Sequence, residues 1–151
     1  MPASPAVDRL AADIGSRVCV VDQTAVWIEA ARRDRVVDPR SPHPQPGIDP
    51  AQIRPGDSWC TEGRWACSVD TGTEVDVCGF VTIPGGRVVA FQALRWLGES
   101  LFAFDDDAGS NAEDSWSVGE RQSIVTGGYT VTGERLADSP SSVVFNLTIA
   151  G

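Results

Sequence analysis

The stretch SVVFNLTIAG, residues 142–151, constrains the fold of this chain more than any other. Val143, Phe145, Leu147 and Ile149 fall on one side of an extended backbone, and Val144, Asn146 and Thr148 fall on the other. That is the two-residue period of a strand with one buried face. The pattern recurs upstream. EVDVCGFVTI (74–83) alternates, and PGG (84–86) supplies a tight turn in which Pro presets one dihedral and Gly admits the next. RVVAFQALRWL (87–97) then returns as the second arm of a hairpin. SLFAF (100–104), RQSIV (121–125) and GYTVTG (128–133) add further strands. Short strands at this spacing, with no long helix between them, predict a mainly β chain. Its expected form is an antiparallel β-sandwich of the immunoglobulin-like or jelly-roll kind.

The N-terminal third reads differently. Ser4 and Pro5 form a helix-start signal, Val7, Leu10, Ala11 and Ile14 recur at helical spacing, and Gly15 can close the element. A short amphipathic helix is therefore expected over residues 5–14. RVCVVD (17–22) reads as a buried strand, and TAVWIEAARRDRV (24–36) mixes signals, with Val26, Ile28 and Ala30 alternating as a strand would. DPRSPHPQPGIDPAQIRPGD (38–57) is dense in proline, which cannot donate to a hydrogen-bond ladder. These signals divide the chain into an N-terminal helix and strand segment (1–37), a Pro-rich linker or extended arm (38–57) and a β-sandwich domain (58–151).

Residues 116–151, WSVGERQSIVTGGYTVTGERLADSPSSVVFNLTIAG, resemble the closing strands of immunoglobulin-like repeat modules from bacterial surface proteins. In those modules a turn of the WSVGE kind leads into a YTVT strand, a short Leu-Asp loop and a final Thr/Val-rich strand. The resemblance covers about a quarter of the chain. It implies adhesion, spacing or structural reinforcement, with no catalytic residues to carry over.

A chain of 151 residues is long enough for one core without covalent staples. No apolar run approaches the length of a membrane span. The net charge is -9, and Glu99, Asp105, Asp106, Asp107, Glu113, Asp114 and Glu120 follow one another with no Arg between them. The basic cluster Arg32, Arg33 and Arg35 is interrupted by Asp34 and followed by Asp38. A phosphate-binding surface needs a positive patch, so nucleic acid is not an expected partner. The basic residues are all Arg, with no Lys, as a GC-rich bacterial or phage genome would give. The N-terminal residues lack a cationic region followed by an apolar one, so no secretory signal is read. The expected location is a virion or an extracellular surface, reached by a route such as lysis, with the cytoplasm as the alternative.

Four cysteines raise the question of chemistry. Six residues separate Cys60 from Cys67 and ten separate Cys67 from Cys78, while Cys19 is distant. Structural zinc sites bring ligands in closer pairs, which disfavours a site built from these thiols and His43. Disulfides among Cys19, Cys60, Cys67 and Cys78 fit an exported or virion protein, with Cys60–Cys67 or Cys67–Cys78 able to staple neighbouring strands. The other reading is free, buried thiols acting as small hydrophobes. His43, the only histidine, sits between two prolines, a poor place to orient a base for a Cys or Ser nucleophile. GDSW (56–59) lacks the glycine that follows a nucleophilic serine in a tight elbow. No catalytic residue and no cofactor is expected. Asp105, Asp107, Asn111, Glu113 and Asp114 form a group of hard oxygen ligands that could hold calcium, although their spacing is not that of an EF-hand.

Trp27, Trp59, Trp65, Trp96 and Trp116 can pack in a core or, if exposed, stack on sugar rings or anchor a protein contact. The function expected from all this is a non-catalytic structural or interaction protein. It would work in a larger assembly, such as a phage virion (capsid decoration or tail component) or a cell-surface structure, with other protein subunits as homo- or hetero-oligomeric partners. A carbohydrate-binding or calcium-dependent lectin-like module is the alternative, a small hydrolase a second, and an acidic mimic of nucleic acid a fourth reading.

Overall fold

A computed structural model describes residues 15–33, 48–63, 76–96, 99–106, 114–139 and 142–151 of the chain. Ten strands and no helix occur among the described residues: β1 (Gly15–Gln23), β2 (Ile28–Arg33), β3 (Ile48–Ile53), β4 (Ser58–Gly63), β5 (Asp76–Thr82), β6 (Val88–Trp96), β7 (Glu99–Asp105), β8 (Arg121–Thr126), β9 (Tyr129–Arg135) and β10 (Ser142–Ala150). The helix expected over residues 5–14 lies outside them. The strands form two five-stranded sheets. Sheet A runs β4-β1-β10-β9-β8 and sheet B runs β3-β2-β5-β6-β7. All pairings are antiparallel except one, in which β1 lies parallel to β10 from Gly15 opposite Ser142 to Gln23 opposite Ala150.

The strand period determines which side chains meet. In sheet A, Val18 and Val20 of β1 align with Phe145 and Leu147 of β10, and all four are buried. Sheet B contributes Ile28, Ala30, Ile53, Val77, Val81, Val89, Phe91, Ala93 and Phe102 to the same core cluster. The two sheets therefore enclose one hydrophobic interior, a β-sandwich arrangement. Its aromatic centre is a stacked pair, Phe102 and Phe145, with ring centroids 4.4 Å apart. Trp116 stands edge-on to both at 5.3 and 6.3 Å. Such pairs add to the area that each ring buries.

The structure revises the expected division of the chain. Strands β1 and β2, from the segment expected to precede the sandwich, are integral to it. β1 lies between β4 and β10, and β2 lies between β3 and β5. Within the proline-rich stretch, Ile48–Ile53 is strand β3 rather than part of an arm. Proline is tolerated there because β3 is the edge of its sheet, where one side of the backbone needs no partner. A register shift between Ala30 and Arg32 gives β3 an extra residue at the same place. Val26, expected to continue the alternation of Ile28 and Ala30, is instead exposed in the bend before β2.

The central strands of sheet B, β2, β5 and β6, are buried on both faces over much of their length. Ala31, Cys78, Phe80, Ala90, Gln92 and Leu101 alternate with the core residues of their strands, so they face away from the interior, yet none is more than 9% exposed. Strands buried on both sides carry apolar residues without polar alternation. That accounts for VVAFQAL in β6, where Val89, Phe91 and Ala93 face the core while Ala90 and Gln92 face outward.

The hairpin expected at PGG is present. The Ile83 amide donates to the Arg87 carbonyl at 2.9 Å, and Gly85 and Gly86 adopt φ of 94° and 88°, a region that favours glycine. Gly79 is constrained by space rather than by dihedral angle. A Cβ there would lie 2.6 Å from the Ala31 carbonyl oxygen and 2.9 Å from Phe91 Cε1. Backbone cannot yield as a side-chain tip can, so Gly79→Ala is expected to cost about 1–3 kcal/mol by overpacking. Urea unfolding of the variant, with an unchanged m-value, measures it.

Candidate functional site

The registers gather several connections at one end of the sandwich: residues 24–27 between β1 and β2, 54–57 between β3 and β4, 83–87 between β5 and β6, and Gly127–Gly128 between β8 and β9. Two of these, 24–27 and 54–57, carry the chain from one sheet to the other. They are tied together at Asp22. Its amide donates to the Asp57 carbonyl at 2.9 Å, and its carbonyl accepts from the Gly56 amide at 2.7 Å. The Asp22 side chain is fully buried. Its Oδ1 accepts from the Thr24 amide at 2.9 Å and from Thr24 Oγ1 at 2.7 Å. Thr24 Oγ1 also contacts the next bend, accepting from the Val26 amide at 3.2 Å and lying 2.8 Å from the Val26 carbonyl. An Asp followed two residues later by Thr is a local turn in which side chains replace backbone partners. Asp22 Oδ2 has no hydrogen-bond partner among the described residues.

This brace presents Val26 and Trp27 outward. Trp27 is 56% exposed and Val26 43%. Because Ile28 pairs with Ile53, Trp27 is set beside Arg54, whose guanidinium carbon lies 5.5 Å from the indole centroid. The Arg54 guanidinium also reaches the Asp57 carboxylate at 3.4 Å. Along the same edge Gln52 Nε2 donates to Glu29 Oε2 at 2.7 Å. Elsewhere at this end Arg87 Nη1 lies 3.6 Å from the Asp106 carboxylate and donates to Thr126 Oγ1 at 3.3 Å. Val125, on the outer face of edge strand β8, is 74% exposed.

The other tryptophans separate by environment. Trp116 is in the core, Trp59 packs partly against it and Trp96 ends β6, while Trp65 lies outside the described residues. Trp116 is held by its amide to the Ser100 carbonyl at 2.9 Å and by Arg135, which donates to the Trp116 carbonyl at 2.6 Å and pairs with Asp138 at 3.0 Å. Of Trp27, Trp59 and Trp116, only Trp27 exposes its indole.

Cys19 and Cys60 form a disulfide between directly opposed residues of β1 and β4, with Cα atoms 4.0 Å apart. The Cys60–Cys67 staple expected as one option is therefore replaced by a pairing across 41 residues of sequence. Cys78 is also disulfide-bonded, and no described cysteine is free. The reading of buried free thiols is thus corrected for Cys19, Cys60 and Cys78, which are consumed as cross-links. Of the acidic candidates, Asp105 closes β7 and Asp114 is exposed, its carbonyl accepting from the Phe102 amide at 3.3 Å. Asp107, Asn111 and Glu113 lie outside the described residues, as does His43. Among the described residues no three His, Cys, Asp or Glu side chains come together to hold a metal. Ser58 of GDSW is exposed on β4 opposite Val21. No described helix is long and apolar enough to cross a membrane.

No family model and no curated protein matches this chain.

The Asp22 brace generates a direct expectation. Thr24→Val preserves shape but removes a donor from a buried carboxylate, so it should cost about 1–3 kcal/mol, whereas Thr24→Ser should cost less because it keeps the hydroxyl. Equilibrium denaturation of the two variants side by side tests the difference.

Proposed function

We propose that this chain is a non-catalytic structural or interaction protein of a larger assembly, a virion or a cell surface, and that it meets a protein neighbour through the end bearing Val26, Trp27 and Arg54. The observation that carries the reading is the exposed Trp27 indole under the Arg54 guanidinium. Trp and Arg dominate the binding energy of protein contacts, and they do so best on a backbone that loses little freedom on binding. The Asp22 and Thr24 hydrogen bonds supply that rigidity. The disulfides at Cys19–Cys60 and Cys78 favour a setting that is oxidising, as outside the cell or in a released particle.

Among sandwich types, the immunoglobulin-like one is the finer reading we favour. The resembling segment, residues 116–151, supplies core Trp116 and the consecutive strands β8, β9 and β10. An exposed indole also favours a second reading, a carbohydrate-binding module in which Trp27 stacks on a sugar ring.

Pull-down from the source material and sedimentation of the purified chain test the first reading. Trp27→Ala and Arg54→Ala are each expected to weaken capture of the protein neighbour by about tenfold or more, while stability changes by less than about 0.5 kcal/mol. A homogeneous monomer that captures no partner defeats the proposal. Binding on a glycan array that is lost in Trp27→Ala, with no protein captured, would transfer the assignment to carbohydrate.

A further inference from the structure

We propose that Cys19–Cys60 is an exchangeable disulfide that acts as a redox-sensitive latch on edge strand β4. The described cysteines differ in access. Cys19 and Cys60 are half-buried and alternate with the core-facing Val18, Val20 and Thr61, so they lie on the solvent side of sheet A. Their neighbours along β4 on that side, Ser58 and Glu62, are exposed. Cys78 is 2% exposed, on the covered face of sheet B. Thiol–disulfide exchange requires a thiolate to reach a sulfur, so the solvent side of sheet A is where a reductant meets the Cys19–Cys60 bridge.

The consequence of opening this bridge follows from topology. β4 ends sheet A, and β1 is its only neighbour within the sheet. The ladder from Ser16–Gly63 to Val21–Ser58 is reinforced by the bridge at its centre. Among the described residues, β4 is also held by the inward Thr61, by Trp59 against the core and by the hydrogen bond from Ser142 Oγ to Glu62 Oε1. Cutting the bridge leaves a short edge strand free to separate from β1, which then presents an unpaired edge of its own.

The chemistry balances with a small dithiol as reductant. One thiolate of the dithiol attacks a sulfur of the bridge, forming a mixed disulfide and releasing the other cysteine as thiolate. The second thiol of the dithiol then attacks the mixed disulfide, closing to a cyclic disulfide and releasing the second cysteine. Two electrons pass from the dithiol to the protein, its two protons end on Cys19 and Cys60, and the dithiol is oxidised.

The test uses the full chain under native conditions, titrated with dithiothreitol, quenched by alkylation and mapped by peptide mass. Cys19 and Cys60 are expected to be alkylated together, at least about tenfold faster than Cys78. Hydrogen exchange on the reduced sample is expected to quicken at the β4 amides while the β9–β10 pairing keeps its protection. Alkylation of Cys78 first, or of all three cysteines at one rate, overturns the assignment of the exchangeable bridge. Unchanged β4 exchange after selective reduction overturns the latch. The double variant Cys19→Ser, Cys60→Ser is expected to show fast β4 exchange with no response to dithiothreitol. If it fails to fold, the wild-type alkylation and exchange data decide alone.

Discussion

The parallel ladder between β1 and β10 is the constraint on which the rest of the architecture depends. It joins the start of the described chain to its end, and it places β1 where β4 can be added as a further strand. Without it, sheet A would be the β8–β9–β10 meander alone, and Phe145, Leu147 and Ile149 would lose the flank formed by Val18 and Val20. Nothing local specifies this contact. It has the highest entropic cost of closure in the fold, because nearly the whole chain lies between its partners. The cross-link from Cys19 to Cys60 separately fixes β1 to β4 across 41 residues, an effect of about 4 kcal/mol on that loop in the loop-entropy description.

How far the fold could be read from residues varied with how local its causes are. The β10 period, the PGG hairpin and the strands of β7 to β9 were legible because each depends on alternation and turn chemistry within a dozen residues. The strand at Ile48–Ile53 was not, since a proline counts against a central strand and only the pairing order reveals β3 as an edge. The double burial of sheet B was signalled by the apolar outward positions of β5 and β6, Cys78, Phe80 and Ala90. A run of that kind is equally compatible with one buried face and a few exposed hydrophobes.

The site was less legible than the fold. Five tryptophans look alike in the sequence, and what distinguishes Trp27 from Trp116 is position relative to the sheets. A signal did exist: Asp22 and Thr24 form a turn pair just before Val26 and Trp27, which marks a chain reversal where a large apolar residue is left outside. The disulfide from Cys19 to Cys60 shows the same limit in another form. Cysteine spacing favours neighbours in sequence, whereas the ladder opposes Cys60 to a residue from the other side of the proline-rich stretch.

The parallel alignment of β1 and β10 also has a mechanical meaning. Gly15 and Gly151 lie at opposite ends of two strands that share a ladder nine residues long. Tension applied between those residues pulls the strands along their own axes, in opposite directions. Every hydrogen bond of the ladder is then loaded together in shear, instead of one after another as in the peeling of a hairpin. A pair of strands arranged in this way resists extension collectively.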